Sequence, residues 1–419
     1  MKEKTSRQKN ILIKKFFLFM KIAVFSDNFY PELSGISDSL VEQARELSHL
    51  GHEIDFFVPR YGKKDFAISH LPYEEIHISE GITVKRLFAL PFPAPTKQGR
   101  MIVPTFLRWI HLSKKHPDII HTHLFFGAGL EALVASFFLG RPLIGTSHTP
   151  LTEFLRYGPI QAKFLQKFAL RFVSWYYNRC DFVTAPSQGI LDEMKKNGFY
   201  KPSRVISNPI DLDNFFPAGI DEKIQLKKKF GLDSFVILYT GRLAQEKHVD
   251  DIIRAIAILK EKIPGLCLAI TGHGDAEDSL RTLTKELGIG EKVRFFGTVS
   301  TEDHSLIYRA ADIFAIMSTA ETQSLSMMKA MATGIPPIGT RARGLAEYIH
   351  DDENGSLVEP GDYKALADMI LFLYEHPEER RRLGKGGTAF VKQFSREKIG
   401  KEWENLYTKV LDQFNQTKK

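Results

Sequence analysis

The stretch Thr240-Gly241-Arg242-Leu243-Ala244-Gln245-Glu246-Lys247 decides how this chain is read. Before it, Phe235-Val236-Ile237-Leu238-Tyr239 is an apolar run of β-branched and aromatic residues, the composition of a buried strand. Gly241 breaks the run, and from Val249 to Leu259 apolar residues return at helical spacing. Strand, sharp turn and helix place Arg242 and Lys247 at the carboxyl end of a parallel strand, where ligands bind in open α/β sheets. A guanidinium fork and an ammonium point charge fixed there suit a diphosphate. Arg and Lys are also the ordinary residues of a solvated surface, and this stretch alone leaves the two readings level.

A second stretch decides between them. Ser318-Thr319-Ala320-Glu321-Thr322-Gln323-Ser324-Leu325 follows the apolar run Ile313-Phe314-Ala315-Ile316-Met317 and leads into Met328-Lys329-Ala330-Met331-Ala332-Thr333-Gly334. A helix that opens here presents the unpaired backbone N–H groups of its first turn, which can donate to sugar hydroxyls or phosphate oxygens without side chains. Together the two stretches resemble the retaining glycosyltransferases of the two-Rossmann-domain (GT-B) fold, in family 4 of glycosyltransferases. That family carries G-R-L-x-x-E-K and then E-x7-E, and the resemblance runs from about Met20 to about Tyr407.

Composition is compatible with this. A chain of 419 residues suits two domains, and 43% hydrophobic residues is ordinary for a water-soluble protein. The two cysteines, Cys180 and Cys267, have neither metal-ligand nor redox spacing, and a reducing cytoplasm is the expected compartment. No apolar run reaches membrane-spanning length. The net charge of +7 is uneven: residues 1–200 hold 26 Lys+Arg against 18 Asp+Glu, and the remainder is at −1. Nucleic acid is not the expected partner, because no recognised module accompanies the charge. Basic residues interleaved with Phe, Trp and Leu suggest an anionic membrane surface instead, with the protein peripheral on its inner face.

Residues 1–19 form a basic leader with a short apolar part broken by Lys14-Lys15. It lacks the unbroken apolar core and cleavage site of a secretory signal. Two readings stay open: an upstream start codon chosen in error, or a short basic membrane-contacting helix. Residues 20–206 alternate strands and helices, beginning with Met20-Lys21-Ile22-Ala23-Val24-Phe25-Ser26, as expected of a parallel sheet. Residues 207–222, rich in Asn, Pro, Asp and Gly, read as a linker. Residues 223–395 repeat the plan, with strands expected at 235–239, 266–271, 293–296, 313–317 and 335–338. Residues 396–419 carry a last amphipathic helix with Trp403, Leu406, Tyr407 and Val410, which the resemblance implies crosses back onto the first domain.

The resemblance also implies roles for particular residues. Gly35, after the first strand, would let backbone approach the donor phosphates and the acceptor. His148, at a strand end before Thr149-Pro150, matches a family histidine near the anomeric centre, where a neutral imidazole can hydrogen-bond a sugar hydroxyl. His121 and His123 also end a strand and are expected to line the cleft. Gly272-His273-Gly274 would form the turn beneath the diphosphate, and Thr298-Val299 would read the nucleobase through backbone groups. Glu321 would meet donor-sugar hydroxyls, with Thr322, Gln323, Ser324 and Leu325 around the donor.

The match then fails. The family has a second glutamate that accepts from the ribose hydroxyls, and this chain has Lys329, which has no acceptor lone pair. Lys329 could donate to a ribose oxygen, pair with the diphosphate, or mark weakened binding or lost activity.

The expected activity is transfer of a hexose from a nucleotide sugar, a UDP-sugar in the first place, to a membrane lipid such as diacylglycerol or to a lipid-linked glycan, with retention. Within the family, Glu-Thr-Gln and the stretch after His148 (Glu153, Phe154) resemble bacterial diacylglycerol glucosyltransferases. Arg242 and Lys247 would stabilise the departing diphosphate, so no metal and no cofactor beyond the nucleotide-sugar co-substrate is expected. The alternative is a non-catalytic nucleotide-sugar-binding protein on the same fold, suggested by Lys329. For the membrane, the basic and aromatic stretches 106–115 and 163–179 are the expected surface, with Trp109 and the 163–179 stretch as the contact.

Overall fold

A computed structural model of the chain describes residues 19–32, 34–69, 71–92, 98–148 and 163–418, apart from the side chains of 163–167 and 301. Most of the basic leader and the residues Glu153 and Phe154 lie outside the described residues.

The strands are β1 Lys21–Phe25, β2 Glu53–Pro59, β3 Ile82–Leu87, β4 Ala89–Pro91, β5 Arg100–Ile102, β6 Ile119–Thr122, β7 Leu143–Thr146, β8 Phe182–Ala185 and β9 Ser203–Val205 in the first half. In the second half they are β10 Phe235–Thr240, β11 Leu266–Thr271, β12 Val293–Gly297, β13 Ile313–Ile316, β14 Pro337–Thr340 and β15 Ser356–Val358. Two parallel sheets result, in the orders β3-β2-β1-β6-β7-β8-β9 and β12-β11-β10-β13-β14-β15, and β4 with β5 forms an antiparallel pair. This is an α/β fold of two Rossmann-like domains. Strand order reverses between β1 and β6 and again between β10 and β13. Ligand crevices open at such reversals, outside the carboxyl ends of the strands.

Both sheets are buried on their two faces, which is why their central strands are continuous apolar runs. Sequence and structure differ at edges. The strand expected at 335–338 runs from Pro337 to Thr340, with a proline at its first residue, where a ladder tolerates a missing donor. The Ile220–Lys229 helix starts inside the stretch read as linker, with Asp221 and Glu222 in its first turn.

The last helix, Arg396–Thr417, is capped by Ser395, whose side chain accepts from Lys398 N (3.4 Å). Its stripe of Ile399, Trp403, Leu406, Tyr407 and Val410 is buried against the first domain beside Leu40, Ala44 and Leu47 of the Gly35–His49 helix. Burying each such side chain contributes about 1.5–3 kcal/mol, enough to tie the end of the chain to its first domain.

Candidate active site

At the second sheet's reversal, two turns are packed backbone on backbone. The turn after β10 and the turn after β11 are joined by Gly241 N–H to Thr271 O (3.1 Å) and Leu243 N–H to His273 O (2.9 Å). A Cβ on Gly272 would run into the Gly241 carbonyl, and one on Gly274 into the Leu243 carbonyl. Gly272 also has φ +110°, so both glycines are required by close approach, and Gly272 by conformation as well. Tyr239 supports the same turn by donating to Arg242 O (2.9 Å). Burial, reinforced by Glu321, holds that phenol well above its usual range, so it stays a donor.

Four charged side chains stand on this support. Arg242 pairs with Glu246, which is buried, and Lys247 pairs with Glu321 from the turn after β13. The Lys247 and Glu321 side chains keep 17% and 15% of their surface, so the pair borders solvent. The Glu321 turn is held in place by Gly344 N–H, which donates to Glu321 O (3.0 Å). A Cβ at Gly344 would run into Thr322 O, so Gly344 is a supporting residue of the site that sequence reasoning missed. Its signal was slight: one glycine opening a short helix, Arg343–Tyr348.

The other expected donor-side residues are placed as follows. Ser324 caps the Leu325–Ala332 helix by accepting from Met327 N (3.3 Å), so one first-turn N–H is already occupied. Gln323 is buried and its Oε1 accepts from Asn208 N (2.6 Å), which ties it to the linker. Thr298 N–H donates to His273 Nε2 (3.1 Å), and Val299 packs against the second domain's core. Gly35 reaches the second domain: a Cβ there would lie 3.6 Å from Leu325 Cδ1.

Lys329 also reaches across. Its ammonium lies 3.1 Å from Asp38 Oδ2 on the Gly35–His49 helix and 5.3 Å from the centroid of the Phe215 ring. His304 packs edge-on to Phe215, and burial, with Lys329 nearby, lowers its pKa to about 3. Lys329 therefore meets a carboxylate of the opposite domain, a partner no local motif announces.

On the first domain, His148 Nε2 lies 2.9 Å from His123 Nδ1, and the two rings stack. His121 Nδ1 meets the Tyr407 hydroxyl (2.8 Å), and its Nε2 meets Thr146 Oγ1 (2.7 Å). The expectation that His121 and His123 line the cleft is corrected: they are 0% and 1% exposed, sealed by Trp403 and Tyr407 of the last helix. His148 is 8% exposed. Burial pushes His121 down to about 3, His148 to about 4 and His123 well below its ordinary value, so all three are neutral near pH 7. Asp27, at the end of β1, accepts from Ile102 N (2.8 Å) and Ala128 N (2.9 Å) and fixes the start of the Gly127–Leu139 helix.

Trp109, one of the expected membrane contacts, sits beside exposed apolar side chains. It is half-buried and stacked on Phe138, with ring centroids 4.8 Å apart. The exposed apolar side chains beside it are Leu107, Ile110, Phe137 and Phe138.

Chemically, the second-domain reversal offers two cations already matched by carboxylates, and the first domain offers a neutral imidazole. Such a set can stabilise a leaving diphosphate and hydrogen-bond a sugar. Among the described residues no group of three or more His, Cys, Asp or Glu is arranged to hold a metal ion.

Known proteins resemble this chain over most of its length. The family described as "Glycosyl transferases group 1" matches residues 221–390, and "Glycosyltransferase Family 4" matches residues 33–214. Putative glycosyltransferase EpsD of Bacillus subtilis is 30% identical, over 83% of this chain and 94% of its own. Alpha-monoglucosyldiacylglycerol synthase of Acholeplasma laidlawii is 25% identical, over 94% of this chain and 98% of its own. Among solved structures, Anabaena HepE in complex with UDP and glucose superposes with a TM-score of 0.74 at 21% identity, covering 93% of this chain and all of that one.

Proposed function

The chain belongs to the group 1 glycosyltransferases of glycosyltransferase family 4, and from that premise we propose that it moves a hexose from a UDP-sugar to a membrane lipid of the diacylglycerol type, with retention and without a metal ion. The observation that carries the reading is the paired set Arg242–Glu246 and Lys247–Glu321 at the β10/β13 reversal. A diphosphate entering there would draw Arg242 and Lys247 from their carboxylates and free Glu321 to accept from sugar hydroxyls. The growing charge on the leaving diphosphate would then be met by those two cations, the part a metal plays in other designs. Same-face attack, with a β-phosphate oxygen taking the acceptor proton, gives retention without an enzyme nucleophile.

The choice of donor is supported by a fold neighbour that holds UDP and glucose. The choice of acceptor is supported by relatives from Acholeplasma laidlawii and Streptococcus pneumoniae named as alpha-monoglucosyldiacylglycerol synthases. It is supported further by the exposed Leu107, Ile110, Phe137 and Phe138, with Arg108 and Arg141 close to them along the chain, an apolar surface with cations near it that suits an anionic bilayer. No helix among the described residues is long and apolar enough to cross a membrane, so contact would be peripheral.

The test is a panel of nucleotide sugars, read by free nucleotide release with and without anionic vesicles containing diacylglycerol. Release that depends on both a UDP-hexose and the lipid is expected. Binding of the nucleotide sugar with no turnover on any acceptor would favour a non-catalytic binding protein, the reading that Lys329 suggests.

A further inference from the structure

The histidines at the edge of the first sheet are ordered by a hydrogen-bond chain that begins on distant helices. Gln43 Nε2 donates to the Tyr407 hydroxyl (3.1 Å). With that donor in place, and no other acceptor described for it, the Tyr407 O–H points at His121 Nδ1 (2.8 Å). His121 therefore carries its ring proton on Nε2, gives it to Thr146 Oγ1 (2.7 Å), and Thr146 in turn meets Thr184 Oγ1 (2.7 Å). Every polar atom of His121 is used, and His121 takes no part in the proton between His123 and His148. Its contact with His123 is ring on ring, at 4.1 Å.

One proton lies between His123 Nδ1 and His148 Nε2 at 2.9 Å, and its owner can be worked out. His123 Nε2 is buried and has no hydrogen-bond partner. The cavity beside it measures about 10 Å³ and is walled largely by side chains such as Leu40 and Phe56. Were the His123 proton on Nε2, a buried N–H would be left with no acceptor, worse than a bare ring nitrogen there. With the proton on Nδ1, His123 donates to His148, and His148 must carry its own proton on Nδ1. No further hydrogen-bond partner is described for His148, and it is the one ring of the three that keeps surface.

We propose that His123 is the positioning residue of the site: its Nδ1–H fixes His148 as the Nδ1–H tautomer, and that N–H is the one offered to a hydroxyl of the donor sugar. The inference rests on the assignment of His148 to the donor sugar.

The experiment compares His123→Phe, His123→Asn and His148→Ala in the full-length protein, using the UDP-sugar found to turn over. Phenylalanine keeps the stacked ring and removes the donor, whereas asparagine keeps an N–H near the position of Nδ1. His123→Phe should lower kcat about 10–100-fold, as loss of a partner that fixes a histidine tautomer typically does, with little change in KM. His123→Asn should recover most of the rate. Ring-¹⁵N spectra of the native protein should show His148 protonated on Nδ1. A His148 found as the Nε2–H tautomer, or a His123→Phe enzyme with native kcat beside an inactive His148→Ala, overturns the proposal. Full activity in His148→Ala instead overturns the assignment of His148, and the inference with it.

Discussion

At the reversal of the second sheet, Arg242, Glu246, Lys247 and Glu321 form two ion pairs at the border of solvent. At the edge of the first sheet, His121, His123 and His148 lie in a row, 0%, 1% and 8% exposed, with no carboxylate among their described hydrogen-bond partners. The contrast shows how one fold provides two kinds of polar group. Charges persist where each has a counter-ion and at least one member of the pair reaches water, and an incoming diphosphate can take over from the carboxylates. Imidazoles persist in the dry layer because they can shed their charge, and they remain useful as directional donors.

The largest test of the contrast removes a cation. Arg242→Ala or Lys247→Ala should reduce transfer about 10²–10³-fold, the usual loss for one transition-state donor, while thermal unfolding stays cooperative. Native turnover in either variant would dissolve the distinction between a charged reacting edge and a neutral one.

Acid should sharpen the same distinction. The histidines have folded-state pKa values below the ordinary 6.5, to about 3 for His121 and about 4 for His148. The unfolded chain therefore binds more protons between those values and 6.5. The stability these residues contribute is complete above pH 6.5 and is lost as pH falls toward 4 and 3. Each can contribute up to about 1.4 kcal/mol per pH unit in that window. Melting temperatures from pH 7.5 to pH 4.5 should drop steeply below 6.5 and less steeply in His148→Asn. A flat profile would mean that the row is not held neutral by burial.

A smaller effect is expected at Lys329. Lys329→Glu sets a carboxylate against Asp38, whose side chain is 53% exposed, so screening limits the penalty to about 0.5–1 kcal/mol. Calorimetry should show nucleotide binding weakened several-fold, and Asp38→Lys in the same chain should restore it. Tighter binding by the single variant would instead mean that a glutamate there accepts from the ribose more than it repels Asp38. The smallest expected effect is none: transfer should survive EDTA, because the cations at the charged edge are side chains. A requirement for Mg²⁺ or Mn²⁺ would take that role from Arg242 and Lys247.

Much of the architecture was legible in the chain. Strands β10, β11 and β13 could be read because a strand covered on both faces must be an apolar run, and Gly241, Gly272 and Gly274 could be read because the chain turns sharply after each strand. Strands β9 and β15 were not read: each has three residues at a sheet edge, paired on one side only, and so needs no apolar run. Arg242, Lys247 and Glu321 were legible because local order, strand then turn, places each at a carboxyl end.

What only the tertiary structure decided lies between segments far apart in sequence. His123 with His148, His121 with Tyr407, Lys329 with Asp38 and Gly344 against Thr322 are contacts across strands, domains or the whole length of the chain. The sequence by itself determined which strands are buried and which residues stand at their ends, since periodicity and turn chemistry act over a few neighbours. It did not determine which of those residues would be dry, paired or neutral. Hydrogen-bond partners and exposure to water are set by whatever element packs on top, here a last helix that begins nearly three hundred residues after His121.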